Sequence, residues 1–304
     1  MRWYLLLIVG VCCISTSAIL VSLAGVPPSQ GAFYRNFFAA LLWLIPYGFT
    51  RPLAPLASGA MTERQGLVCR VAWLTPLVRR LNAGWIFLGL GFFFAIDLWA
   101  WHRAIVYIGA GPATLMGNLQ VVFVALLAFF LFGEQLKKMF WPGVMLALLG
   151  IAMLTLTNPL GSSVWLGIVF GILTALTYSI FIIFLKYLEA YQASAQQTLF
   201  WVAALTALFL LLPTLIEDGL VLPGPRSLAI LLLHALISSV VGWWIIVTVL
   251  KKVPVAAAST LLLLQPLLTS IWGHLFLGQG LVAVQVAGIC LALFGIRLAN
   301  WGKR

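Results

Sequence analysis

The chain has 304 residues, of which 63% are hydrophobic and only 8% charged, against about 25% charged in an ordinary soluble domain. A mean hydropathy of +1.13 excludes a water-soluble fold, because no core of this size hides so much apolar surface; lipid is the expected solvent for most of it. The net charge of +11, from 17 Lys and Arg against 6 Asp and Glu, would suggest nucleic acid in a soluble chain. Here the basic residues sit in short gaps between apolar runs, without a basic arm or a nucleic-acid motif, so no nucleic-acid partner is expected.

In chain order, Arg2 and the apolar run behind it imitate a signal peptide, but the run continues past Ser15-Thr16-Ser17 to about Leu23. A first transmembrane helix is the better reading. A bilayer core of ~30 Å needs roughly 17–25 apolar residues per helix. Runs of that length predict ten spans: Trp3–Leu23, Gly31–Phe49, Trp85–Tyr107, Pro112–Phe132, Trp141–Leu156, Val164–Leu188, Leu199–Leu215, Leu228–Leu250, Val255–Leu277 and Leu281–Leu298. Turn formers such as Gly25-Val26-Pro27-Pro28, Asn158-Pro159 and Pro223-Gly224-Pro225 punctuate the gaps. The loop at about 51–84 interleaves Leu67, Val71, Trp73 and Leu77 with Arg64, Arg70, Arg79 and Arg80, the pattern of a segment lying on headgroups.

The charges orient the bundle. With a cytoplasmic N-terminus the inner side collects Arg2, the arginines of the long loop, Lys137, Lys138, Lys186, Lys251, Lys252, Arg297, Lys303 and Arg304, while the outer side holds Arg103 and Arg226. The positive-inside rule then gives an N-in, C-in multi-pass protein of the inner membrane. Shifting the sequence by 145 residues brings Gln120 onto Gln265, Gly133 onto Gly278, Leu136 onto Leu281, Gly143 onto Gly288, Gly150 onto Gly295 and Trp99 onto Trp244. The loop before the fourth span is outside and its counterpart before the ninth is inside. The expected fold is therefore all-α, two inverted five-helix repeats over residues 1–157 and 158–304, a plan that encloses a midplane site.

Cys12, Cys13, Cys69 and Cys290 show no metal or redox spacing and read as small apolar fillers. His102, His234 and His274 lie on separate spans, whereas metal sites need clustered ligands. No nucleophile elbow, phosphate loop or paired carboxylates occur, so no catalytic residue, metal or cofactor is expected. Glu217-Asp218 reads as a solvated turn.

Asp97 stands out. It lies twelve residues past Trp85, ~18 Å into its helix at ~1.5 Å per residue, where an acid is a functional candidate by default. It can attract a cationic group or a coupling proton; the structural alternative is an ion pair that staples helices, with Arg35 as partner. Arg35 can reach inward or snorkel to the outer interface. His102 is either a gate or proton relay or an interfacial histidine bonded to backbone. Asn118, Gln120 and Gln265 either line the cavity or bond between helices. Of the aromatics away from span ends, which include Trp99, Trp243, Trp272 and Tyr178, Trp101 shares the face of Asp97 at i+4, and Trp244 is the second choice for an apolar wall.

The Ala32-Phe33-Tyr34-Arg35 stretch, Asp97-Leu98 with Trp101-His102, Ala113-Thr114-Leu115 with Asn118, Phe132-Gly133-Glu134, Leu264-Gln265-Pro266 and Leu277-Gly278 resemble the ten-helix EamA-type exporters of the drug/metabolite transporter superfamily over essentially the whole chain. Gln279 stands where that family usually has a second Glu, and Val121 where it often has Pro. The resemblance implies export or exchange of a solute across the inner membrane. The family spans amino acids, purines, sugars and drugs, so the substrate, coupling ion, direction and oligomeric state stay open. The expected function is alternating-access transport of a small amphipathic metabolite such as an amino acid, or a drug-like solute, with Asp97, Trp101, Asn118, Gln120, Trp244 and Gln265 on the substrate and Asp97, Arg35 and His102 in coupling or gating. The alternatives are a membrane-embedded enzyme, which would need His, Asp and Glu clustered at one membrane face, and a receptor or assembly subunit with no solute path.

Overall fold

The computed structural model describes residues 2–50, 83–108, 110–155, 163–188, 193–277 and 282–301. The expected headgroup segment at 51–82, the repeat mates Gly278 and Leu281, Gln279, Cys69, Lys303 and Arg304 lie outside them. The described residues fold as helices, with no strand among them. They are α1 Arg2–Ser15, α2 Ser17–Ala24, α3 Pro28–Gly48, α4 Ala83–Ile108, α5 Ala110–Asn118, α6 Gln120–Phe132, α7 Phe140–Thr155, α8 Val164–Tyr187, α9 Ala195–Glu217 and α10 Pro225–His234. A π-helical stretch Ala235–Gly242 follows, then α11 Trp243–Leu250, α12 Val255–Leu262, α13 Leu264–Leu277 and α14 Ala283–Ala299.

Among the described residues, 7 helical stretches are long and apolar enough to cross a membrane, against the ten expected. The shortfall has physical causes. α3 has 21 residues but spends Gln30, Arg35 and Asn36 inside the protein. α7 and α14 are apolar yet only 16 and 17 residues long. What the structure establishes is a multi-pass, all-helical membrane protein.

Several spans are broken, each for a local reason. Between α1 and α2 the hydroxyls of Ser15 and Thr16 donate to the carbonyls of Cys12 and Cys13, both at 2.7 Å, competing with the helix ladder. Between α12 and α13, Pro266 has no N–H for the carbonyl of Leu262, and Leu263 closes a tight turn onto Thr260 O at 3.2 Å. Between α5 and α6, Leu119 turns onto Met116 O at 3.1 Å while the Asn118 amide donates to Thr114 O at 2.7 Å. The π-helical stretch is the fourth irregularity, and Ser238 on it donates to Cys13 O at 3.2 Å. The carbonyls of Cys12, Cys13 and Thr114 thus find side-chain donors inside the protein, as the membrane demands.

The tightest packing is α7 on α14, α4 on α8, and α9 on α3 and α4. Small residues make the first of these. A Cβ on Gly150 would strike Ala292 and the carbonyl of Gly288; one on Gly295 would strike Ala147 and the carbonyl of Gly143. The two halves of this seam are reciprocal, so the backbones approach as closely as helices can. After α6, Gly133 adopts φ 63°, the left-handed turn that glycine enters without penalty. That turn aims Glu134 at the start of α12, where its carboxylate accepts from Val255 N at 3.0 Å and Ala256 N at 3.3 Å. The loop acid is thus a helix N-cap.

Candidate functional site

The polar interior is assembled from α2, α3, α4, α8 and α10. Ser29 to Asn36 at the start of α3 are buried without interruption, so Arg35 has no route to a membrane face and points its stem inward. Arg35 is 8% exposed, Asp97 6%, His102 7% and His234 0%.

Arg35 Nη1 donates to Ser17 Oγ at 3.3 Å, and Ser17 Oγ is 2.7 Å from His234 Nε2. His102 Nδ1 donates to Leu98 O at 2.6 Å. Left over are Arg35 Nε, His102 Nε2 and His234 Nδ1, buried with no hydrogen-bond partner. The Asp97 carboxylate accepts no hydrogen bond among the described residues, and its main-chain oxygen takes the Thr174 hydroxyl at 3.5 Å. Arg35 and Asp97 make no ion-pair contact, the ion pair among the described residues being Arg103–Glu217. The stapling alternative for Asp97 thus lacks its direct bond. Buried polar groups are nearly always satisfied, so three nitrogens left without a partner on Arg35, His102 and His234 are an unusual feature of this fold.

An aromatic group lies beside them. The Arg35 guanidinium is 6.0 Å from the Phe94 ring. Phe94 stacks on Phe181 at 4.5 Å, and Trp243 meets Phe94 at 5.8 Å and Phe181 at 5.4 Å, both edge-on. Tyr178 joins at 6.3 Å from Trp243.

The other expected residues spread around this centre. Trp101 is half-buried with its ring 5.1 Å from His102. Trp244 is 44% exposed, whereas its neighbour Trp243 is buried in the aromatic group. Asn118 spends its amide on its own helix. Gln120 opens α6 and donates to Ser259 O at 3.4 Å, and its Oε1 is buried without a partner. Gln265, just past the α12–α13 break, is half-buried. Arg35, Asp97 and His102 come together; Asn118, Gln120 and Gln265 sit at the two helix breaks. Sequence reasoning missed Ser17 and His234 as members of the cluster.

A second network closes one end of the bundle. Glu217 accepts from Ser29 Oγ at 2.7 Å and Trp99 Nε1 at 2.8 Å and pairs with Arg103. Gln30 N donates to Asp218 Oδ2 at 3.2 Å. These turn acids, expected to be solvated, instead tie α9 to α3 and α4.

The model of the EamA-like transporter family matches residues 1–156 and again 165–301. A relative from Synechocystis, named as an uncharacterized transporter, is 26% identical over 265 residues, 78% of this chain and 79% of that protein. A Pseudomonas fluorescens protein named "Probable 4-amino-4-deoxy-L-arabinose-phosphoundecaprenol flippase subunit ArnE" is 32% identical over 78 residues, 26% of this chain and 68% of its own. One solved crystal structure superposes with a TM-score of 0.73 at 18% identity, over 99% of this chain and 98% of that one, which shows a shared fold.

Proposed function

The chain belongs to the EamA-like transporter family, and from that premise we propose that it exports or exchanges a small amphipathic solute across the inner membrane by alternating access. The two moving parts are inverted five-helix repeats, 1–157 and 158–304, with ten spans and both termini in the cytoplasm. Two observations support the repeats: the family model matches twice, and the seam between α7 and α14 is reciprocal. Breaks at corresponding points of α5–α6 and α12–α13 suit a site at the repeat interface, where discontinuous helices bind substrate and then rock.

The observation that carries the reading is Asp97, buried in the middle of a 26-residue helix beside a cation it does not touch. An intramembrane acid is costly unless used. Asp97 takes the cationic group of the solute or a coupling proton; Arg35 and His102 set its field. Phe94, Phe181 and Trp243 supply an apolar wall, Trp101 edges it, and Gln120 and Gln265 offer hydrogen bonds at the breaks. Trp244 and Asn118 are the outer members of the set. Proteoliposome flux with Asp97→Asn is the test: loss of flux or of its pH dependence is expected, and an unchanged rate and pH dependence removes Asp97 from the mechanism.

A further inference from the structure

Glu217 divides its two carboxylate oxygens between two helices. Oε2 accepts from Ser29 of α3 at 2.7 Å. Oε1 takes both groups of α4, Trp99 Nε1 at 2.8 Å and the Arg103 guanidinium. Trp99 and Arg103 are one turn apart, with the guanidinium 5.3 Å from the indole ring, so they reach the carboxylate as a unit. The residues around Glu217 add bonds to α3 alone. Asp218 accepts from Gln30 N at 3.2 Å, Gly219 O from Gln30 Nε2 at 2.8 Å and Val221 O from the Tyr34 hydroxyl at 3.0 Å, and Thr214 donates to Ser29 O at 3.1 Å. Gly219 at φ 68° makes the left-handed turn that brings this strap, residues 214–221, along the start of α3.

Exposure separates the two attachments. On the α3 side Ser29, Gln30, Tyr34 and Thr214 are between 0% and 7% exposed, so a bond broken there leaves a buried group unpaired. On the α4 side Arg103 and Glu217 both meet solvent at their side chains and Trp99 is half-buried, so water can replace each partner at small cost. Deeper in, α4 and α9 are pinned together. A Cβ on Gly91 would strike Leu205, and the Thr206 hydroxyl donates to Gly91 O at 3.3 Å. Trp99 and Arg103 follow Gly91 by eight and twelve residues, ~12 and ~18 Å along the helix at ~1.5 Å per residue. α4 therefore has a fulcrum at Gly91 and a weak attachment further out, and it carries Asp97 and His102 between them.

We propose that Glu217 Oε1 is the catch of a gate. The strap stays on α3, and α4 swings about Gly91 when Trp99 and Arg103 release the carboxylate, opening this end of the bundle toward the buried Arg35, Asp97 and His102. This rests on the alternating-access reading above and adds the contact that holds one end shut. A ligand shifts a conformational equilibrium only by its differential affinity for the two states, so a gate held by solvent-exposed bonds is one that solute binding can move.

The experiment measures access to the interior. The full-length protein, with its four cysteines replaced by alanine and His102→Cys as reporter, is placed in nanodiscs. The rate of labelling by an anionic, membrane-impermeant methanethiosulfonate is followed by mass spectrometry. Trp99→Phe with Arg103→Gln removes both α4 bonds and leaves the strap on α3; labelling should accelerate about ten-fold or more, the weight of two hydrogen bonds. Tyr34→Phe takes a bond from the α3 side instead and should leave the rate near that of the reporter protein. The proposal is overturned if the double variant labels at the reporter's own rate, or if Tyr34→Phe accelerates labelling as much. Should the double variant fail to fold, Trp99→Phe alone decides: about three-fold acceleration is expected, and none overturns the catch. Labelling needs no solute, so the two readings fail separately. An unmoved rate sinks the catch and leaves transport standing, whereas unchanged flux in Asp97→Asn proteoliposomes removes Asp97 from the mechanism and leaves the catch standing.

Discussion

Ser17 and His234 lie 217 positions apart and meet at 2.7 Å, joining α2 to α10 inside the membrane. Ser17 also receives Arg35, so one hydroxyl fixes both the ring orientation of His234 and the reach of a buried guanidinium. Such a serine matters through its neighbours: it holds two buried groups whose other nitrogens, Arg35 Nε and His234 Nδ1, have no hydrogen-bond partner.

The two residues should behave as a unit. Ser17→Ala and His234→Gln are each expected to cost about 0.5–1.5 kcal/mol, the usual net value of a hydrogen bond, with membrane interhelical bonds near the lower end. The double variant should cost less than the sum, with a coupling beyond the ~0.3–0.5 kcal/mol expected of independent sites. Unfolding in mixed micelles for all four proteins measures it, and strict additivity would mean that the bond contributes nothing.

Glu217 gathers Ser29, Trp99 and Arg103 at one end of the bundle. The pair with Arg103 is partly exposed, 32% and 22% at the side chains, so its charge contributes little; exposed ion pairs are worth about 0–1 kcal/mol. Glu217→Gln, which keeps an acceptor, is expected to stay within about 1 kcal/mol. Glu217→Ala orphans the donors and should cost about 1–3 kcal/mol. Because Trp99 loses its partner, the substitution should also shift tryptophan emission, and Trp99→Phe should remove that shift. Equal effects of the two Glu217 variants would show that charge, not acceptance, is what the site uses.

Asp97 was legible in the sequence because a lone acid inside an apolar run is conspicuous whatever the fold. The seam glycines were legible too, since Gly143, Gly150, Gly288 and Gly295 recur at a constant offset. Ser17 was hidden because its place depends on the α1–α2 break, which two side-chain bonds to the backbone create, and no periodicity signals it. The choice between Trp243 and Trp244 was hidden for a sharper reason. Both follow the π-helical stretch Ala235–Gly242, whose wider turns shift the helical phase, so counting residues at 3.6 per turn from the start of the span cannot say which ring faces inward. Glu134 illustrates the third kind: the acid was visible, but the helix it caps begins 121 residues later.

The reciprocal seam gives a stability prediction. Gly150→Val and Gly295→Val each force a side chain into the backbone of the facing helix, and overpacking of this kind costs about 1–3 kcal/mol or more. The two substitutions should be similar in size, since each meets the same pair of residue types, glycine and alanine. Gly48→Ala is the control: it faces open space and should change the midpoint by less than about 1 kcal/mol, in the stabilising direction if the unfolded chain is stiffened. Thermal midpoints in one detergent compare all three, and a tolerated Gly150→Val would mean that α7 and α14 do not pack backbone to backbone.

Glu134 and Gly133 make the last prediction. Glu134 bonds Val255 N and Ala256 N, two of the donors that an α-helix start leaves unpaired, and its charge complements the positive end of α12. Glu134→Gln preserves an acceptor and should lose only the dipole contribution, about 0.3–1 kcal/mol. Glu134→Ala removes the cap and should lose about 0.5–2 kcal/mol. Gly133→Ala is expected to mimic it without touching the carboxylate, because a Cβ at φ 63° costs about 1 kcal/mol and disturbs the turn that aims the acid. The informative measurement is local. Hydrogen exchange at the first turn of α12 should accelerate in Glu134→Ala and Gly133→Ala, while α8 stays protected. Unchanged protection of Val255 and Ala256 would mean that the start of α12 is held by its packing on α6, and that the acid after Gly133 is dispensable to the fold.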